Sequence, residues 1–283
     1  MPGRAARILL GGLFGLFLLF LYGPTITIGI LSFQGPDGGL TFPMNGASLH
    51  WFAQLFQPQA VGDLGAAMRR TLALAAMVTA STVVISLLAG MAFRRRFRGS
   101  GAVFYLTIAS LIVPSILVSL GIGLLFNQME WEPAWYSSAF GAQLTWTLPF
   151  GLLIMFAVFN RFDRSWEEAA RDMGATPWQS FRHVVLPIIA PSVVGIALFG
   201  FTLSFDEFAR TLLTAGSGNT LPLEILGMTT TVTTPVLYAL GTVSTAVSFL
   251  VIGGAILGVR LLGRRRGAAP EARGSAPGTP PGG

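Results

Sequence analysis

Apolar positions along this chain come in long unbroken runs, not in the short alternating groups of a soluble fold. Residues 8–33 carry no charge after Arg4 and Arg7 and predict a first membrane span, kinked or ended near Gly23-Pro24. A signal peptide shares the basic start, but its apolar core is usually about 7–15 residues long, so the run is read as a retained span. Five further runs, 71–93, 102–126, 139–159, 188–212 and 236–259, have the roughly 20 residues needed to cross about 30 Å of hydrocarbon. Only the fifth span contains charges. The pattern predicts an all-α membrane protein with six spans and both termini on one side.

The polar breaks are as informative as the spans. The longest inner one, 160–187, carries its own folding code. Ser165-Trp166-Glu167-Glu168 reads as a capping box, Gly174 stands where a left-handed C-terminal cap belongs, and Thr176-Pro177-Trp178-Gln179 opens a second helix. The expectation is two short helices joined by a glycine bend outside the bilayer, leading into the next span through Pro187. On the opposite side, 48–56 (Leu49, Trp51, Phe52, Leu55, Phe56) predicts an interfacial helix. Residues 127–138, with Glu130 and Glu132 beside Trp131 and Trp135, predict an interfacial loop, and 213–235 a Gly/Thr/Pro-rich re-entry.

Arginine fixes the orientation. Fifteen of the 18 arginines (4, 7, 94–96, 98, 161, 164, 171, 182, 260, 264–266 and 273) fall on the N-terminal side of the alternating loops. Positive-inside bias makes that side, and both termini, cytoplasmic. From Gly267 the tail is mostly Gly, Pro and Ala, with one Glu, one Arg, one Ser and one Thr, a composition that cannot bury a core and predicts disorder.

Composition excludes most chemistry. The chain has 283 residues, 52% hydrophobic and 11% charged, with mean hydropathy +0.67. There is no Lys, hence no P-loop or Schiff-base lysine, and no Cys, hence no disulfide or thiolate. His50 and His183 are isolated and form no metal cluster. Neither G-x-S-x-G nor H-E-x-x-H occurs. The expectation is a non-enzyme with no cofactor, no metal and no nucleic-acid partner.

Asp206 and Glu207 lie about nineteen residues past Pro187, which at 1.5 Å per residue puts them in the outer part of span five. Charges in a span face protein or water, so they read either as translocation-path residues or, with Arg210 at i,i+4 from Asp206, as a stabilising pair. Pro114, Pro149 and Pro191 interrupt spans three, four and five and receive no mechanism.

The run E-A-A-x3-G-x9-V-x-L-P, made by Glu168, Ala169, Ala170, Gly174, Val184, Leu186 and Pro187, resembles the EAA loop of ATP-binding-cassette (ABC) importer permeases. Phe201-Thr202-Leu203-Ser204-Phe205-Asp206-Glu207-Phe208 and Thr220-Leu221-Pro222-Leu223 look like the spermidine/putrescine branch. Pro114 with Gly121, and Leu148-Pro149 ahead of Phe162-Asp163-Arg164-Ser165, fit the same branch. The likeness runs from about residue 60 to 260. It implies the type I importer (MetI-like) fold, with an N-terminal span and periplasmic segment over 1–59, a permease domain over 60–262 and a cytoplasmic tail over 263–283.

The resemblance also implies a multi-pass protein of the bacterial inner membrane, forming half of a path for a polyamine or related small organic molecule. Its partners would be a second permease in a heterodimer, two cytoplasmic ATP-binding subunits and a periplasmic solute-binding protein, besides membrane lipid. The EAA loop would couple to the ATPase, while Asp206, Glu207 and Arg210 would line the path. The sequence departs from the branch at Arg210, where an apolar residue is expected, and at Gln143, where many members have His. The alternative reading is an ion-coupled secondary transporter using Asp206 and Glu207.

Overall fold

The structure, a computed structural model, describes residues 3–57, 62–95, 97–231 and 234–267, with side chains as far as residue 258. The disordered tail expected from Gly267 falls outside the described residues, Gly267 itself excepted. Every regular element among them is helical. Five helices are long and apolar enough to cross a membrane: Arg4–Leu31, Leu64–Phe93, Ser138–Arg161, Pro177–Phe205 and Val236–Gly258.

The first span, α1 (Arg4–Leu31), runs unbroken through Pro24 instead of ending there, and faces outward along nearly its whole length. The short α2 (His50–Gln54) occupies the centre of the expected interfacial helix. It packs on the last helix, and Trp51 and Leu55 lie against a buried cluster rather than facing only the headgroup layer.

The hub is α3 (Leu64–Phe93), which packs most extensively on α6 (Ser138–Arg161) and on α9 (Leu186–Phe205). Small residues at four-residue intervals make the α3–α6 approach possible: Thr82, Ser86 and Gly90 on one helix face Thr147, Gly151 and Met155 on the other. A Cβ on Gly151 would collide with Ser86, and one on Gly90 with Met155 and Phe159. This is the small-residue packing that lets helices associate where no water drives them together. The Thr82 and Thr147 hydroxyls bond each other at 2.7 Å in the middle of the seam.

The run 102–126 does not form a single rod. It divides into α4 (Ser100–Ala109) and α5 (Ser115–Gln128). Pro114 sits at the N-cap of α5. It has no N–H to give, and it pushes the residue before it out of helical geometry, so the first helix stops short.

Beyond α6 come α7 (Ser165–Asp172) and α8 (Pro177–Ser180), then a π turn over Phe181–Val185 that runs straight into α9. The π turn has a local cause. Pro187 offers no N–H to the carbonyl four residues back, and its ring crowds that carbonyl, so the backbone slips to a wider turn. The fifth span ends at Phe205, short of the expected 212. The 213–235 re-entry contains a helix, α10 (Leu221–Thr231), ahead of α11 (Val236–Gly267).

Candidate functional site

The bend between α7 and α8 is built mainly by main-chain hydrogen bonds. Gly174 adopts φ +87°, its N–H bonds Arg171 O at 2.8 Å, and the Ala175 N–H bonds Ala170 O at 3.0 Å. These two bonds are a complete Schellman cap. A Cβ at Gly174 would meet nothing within 4 Å, so glycine is required by the left-handed backbone and not by space. On the far side of the bend Thr176 and Gln179 form the expected reciprocal capping box, at 3.3 and 2.8 Å.

The capping box expected at Ser165 does not form. Arg164 occupies the N-cap position in helical geometry and Ser165 is already inside α7. Asp163 does the local work: its Oδ1 accepts the Ser165 N–H at 3.0 Å. That amide, and then the Ser165 hydroxyl, hold the exposed Asp163 carboxyl below the usual carboxylate range. With Ser165 displaced, Glu168 is exposed and Glu167 turns inward.

Glu167 is the residue that the sequence reading passed over. Its Oε1 accepts Arg94 Nη1 at 2.7 Å, and Arg171 approaches its other oxygen at 4.0 Å. Arg94 follows the last residue of α3, with its guanidinium 5.1 Å from the ring centres of both Phe159 and Phe162. Arg164 closes the arrangement by donating to the Arg94 carbonyl at 2.8 Å. The elbow is thus latched to α3 and to the end of α6. Of the other motif residues, Ala170 is buried where α7 meets the π turn, Ala169 is exposed, Val184 is half-buried within that turn beside the buried Val185, and Leu186 and Pro187 begin α9. A larger side chain at Ala170 would push α7 off the π turn.

At the other end of α9 the structure separates three residues that the sequence reading grouped together. Asp206 is the exposed C-cap of α9 and lines two adjoining cavities of about 390 and 270 Å³. Ser244 is common to both; Phe205, Leu221 and Ile225 wall one side, Thr245, Ser248 and Phe249 the other. Glu207 caps the following turn, its Oε1 accepting the Arg210 backbone N–H at 2.9 Å.

Arg210 makes no ion pair with Asp206; it is fully buried, with its guanidinium 4.7 Å from the Trp146 ring centre. The helical Asp206–Arg210 pair is therefore absent: α9 has ended, and i,i+4 spacing no longer brings the two side chains together. Gln143, the other departure from the branch pattern, is buried between Thr211, to which its Nε2 donates at 2.9 Å, and the Ser204 hydroxyl.

A second fastening lies nearby. Glu224 of α10 is buried and takes the Asp63 N–H and the Asn219 side-chain amide, each at 2.9 Å. Arg70 donates to the Asn219 carbonyl at 2.7 Å, and the Leu221 N–H bonds the Thr71 hydroxyl at 2.7 Å. No short motif announces Glu224; the available signal was a lone acid inside an otherwise apolar helix.

Residues 82–263 match the family model described as "Binding-protein-dependent transport system inner membrane component". The putrescine transport system permease protein PotI of Escherichia coli (strain K12) is 28% identical over 249 residues, covering 85% of each chain. The spermidine/putrescine transport system permease protein PotC of Haemophilus influenzae is 30% identical over 234 residues, covering 82% of this chain and 89% of that one. Among solved structures, a bacterial ABC transporter involved in import of the acidic polysaccharide alginate superposes with TM-score 0.64 at 15% identity, over 92% of this chain and 95% of the other. The MetNI methionine ABC transporter in an inward-facing conformation gives TM-score 0.53 at 20% identity, over 69% and 94%. A family match across well over half the sequence, on an ABC-importer fold and with its polar elbow intact, makes this chain a member of the inner-membrane permease components of binding-protein-dependent transport.

Proposed function

We propose that the chain forms half of the translocation path for a small amine-bearing organic solute, a polyamine or a related molecule, and that the α7–α8 elbow couples it to a cytoplasmic ATPase. The observation that carries the coupling role is the latch. An elbow free to flop would dissipate any push, whereas this one is gripped by Arg94 and continues into α9 without a break. The termini then lie in the cytoplasm, and the partners are a second permease, two ATP-binding subunits and a periplasmic solute-binding protein. The polyamine permeases among the relatives support the solute class.

Asp206 is the path residue in this reading. An exposed carboxylate at membrane depth needs water or another protein surface, and the hydroxyls of Ser244, Thr245 and Ser248 beside it favour a wet cavity over lipid. Ion-coupled transport is not favoured, because it leaves the elbow without a role.

The test is ATP-driven uptake by the complete transporter in proteoliposomes. Glu168→Lys and Gly174→Asp are expected to abolish uptake while this chain still inserts in the membrane. Asp206→Asn with Glu207→Gln is expected to cut uptake without disturbing assembly. Normal uptake by both elbow variants rejects the coupling role, and unchanged affinity and rate in the carboxylate variant reject the path role.

A further inference from the structure

Arg210 heads the fully buried side chains by size, at 0% exposure, and none of its Nε, Nη1 or Nη2 atoms has a hydrogen-bond partner. A guanidinium cannot shed its charge, and it brings five N–H donors that lose water on burial. Its surroundings compensate it only in part, the nearby opposite charge being the Glu207 carboxylate. Glu207 spends an oxygen on the Arg210 backbone amide. The Gln143 amide is engaged by Thr211 and Ser204. The Thr211 hydroxyl donates to the Glu207 carbonyl at 3.1 Å, and the Thr214 hydroxyl to the Arg210 carbonyl at 2.6 Å. The face of Trp146 is offered directly to the guanidinium, and a ring quadrupole replaces part of what a hydrogen-bonded counter-ion would give. A buried cation this incompletely matched calls for an explanation, and an anion supplied in another state of the protein provides one.

Access points to where that anion comes from. The segment around Arg210 is closed by its own chain: the Leu213 N–H bonds the Ser119 hydroxyl at 3.0 Å, the Ser138 hydroxyl bonds Thr214 O at 2.6 Å, and Gly216 abuts Pro133. Trp146 is different. It is only half-buried, and it begins an aromatic row with Phe150 and Phe199, at ring separations of 5.2 and 5.1 Å. Rotation of that indole would uncover the guanidinium, which lies four residues along the chain from Asp206.

We propose that Arg210 is an anion receptor under a tryptophan lid, and that the transported solute carries a carboxylate or similar oxyanion as well as an ammonium group. The planar fork of the guanidinium fits a carboxylate through two parallel hydrogen bonds. Asp206 takes the ammonium end and Arg210 the anionic end. This rests on the importer-permease reading and narrows its solute from polyamine to zwitterion.

The experiment compares putrescine with 5-aminopentanoate, which keeps the tetramethylene chain and replaces one ammonium by a carboxylate. Uptake is measured with the complete transporter, its binding protein included, in proteoliposomes with and without ATP. The expected result is ATP-driven uptake favouring 5-aminopentanoate. Arg210→Gln is expected to raise its KM more than tenfold and Arg210→Lys to raise it less, the lysine control guarding against misfolding. Uptake of putrescine but not 5-aminopentanoate overturns the inference and leaves the permease reading standing. So does an unchanged KM in Arg210→Gln. Uptake of neither compound rejects the amine-bearing solute and the inference together, and uptake independent of ATP rejects the permease reading.

Discussion

The two ends of α3 are fastened by opposite chemistry. At the elbow end a side chain holds a side chain: Arg94 grips Glu167, and both remain slightly wet, at 12% and 15% exposure. At the other end a buried carboxylate, Glu224, holds a main-chain amide at the start of α3, and the Thr71 hydroxyl holds a main-chain amide at the start of α10. Because these two acceptors are buried and hold main chain, they fix the register of α3 against α10. A charged pair near water can open and re-form at modest cost. The elbow end is therefore held by an exchangeable grip and the far end by a fixed one.

Removing the far fastening should cost most. Glu224→Ala removes two part-buried hydrogen bonds, at about 1–1.5 kcal/mol each, and leaves a void where its buried side chain stood. Its expected result is a thermal midpoint many degrees lower, with Glu224→Gln in between because one acceptor oxygen remains. An unchanged midpoint for Glu224→Ala would remove the distinction between the ends. Arg94→Met comes next. It keeps apolar bulk between Phe159 and Phe162 but leaves Glu167 only the more distant Arg171 at 4.0 Å, at about 2–3 kcal/mol once partial hydration is allowed for. The exchange Arg94→Glu with Glu167→Arg should recover much of that loss in a double-mutant cycle. No recovery would show that Arg94 acts by packing alone.

At Gly174 a β-branched substitution meets left-handed backbone, so Gly174→Val should destabilise the bend by about 1–2 kcal/mol while Gly174→Asn costs less. The readout is uptake per ATP hydrolysed, and equal values for the two variants would detach the bend from coupling. The smallest effect is expected in the middle of α3. Thr82→Val loses one hydroxyl pair, about 1 kcal/mol, since the Thr147 hydroxyl also bonds the Gln143 carbonyl at 3.3 Å. A loss larger than that of Arg94→Met would shift the weight of the comparison to the seam.

Local signals were legible in the sequence, and contacts between distant segments were not. Gly174 and the Thr176–Gln179 box are decided within a few residues, and both form as read. Among the described residues, long apolar runs located five of the six expected spans as long helices, since hydrocarbon leaves a backbone few alternatives, while the run 102–126 is divided ahead of Pro114. The Ser165 box failed because Asp163, two residues earlier, competes for the same amide. The Asp206–Arg210 pair failed because it presumed a helix that stops at Phe205. Arg94–Glu167 and Glu224–Asp63 join residues 73 and 161 positions apart, and no periodicity carries that information.

Because Pro177–Phe205 is continuous, 29 residues make one lever some 40 Å long at 1.5 Å each. A tilt of about five degrees about its inner tip displaces Asp206 by roughly 3 Å, about the width of a water molecule. The π turn near that tip is the point where such a rod can yield, so small strokes at the base can become the opening and shutting of a passage at the crown.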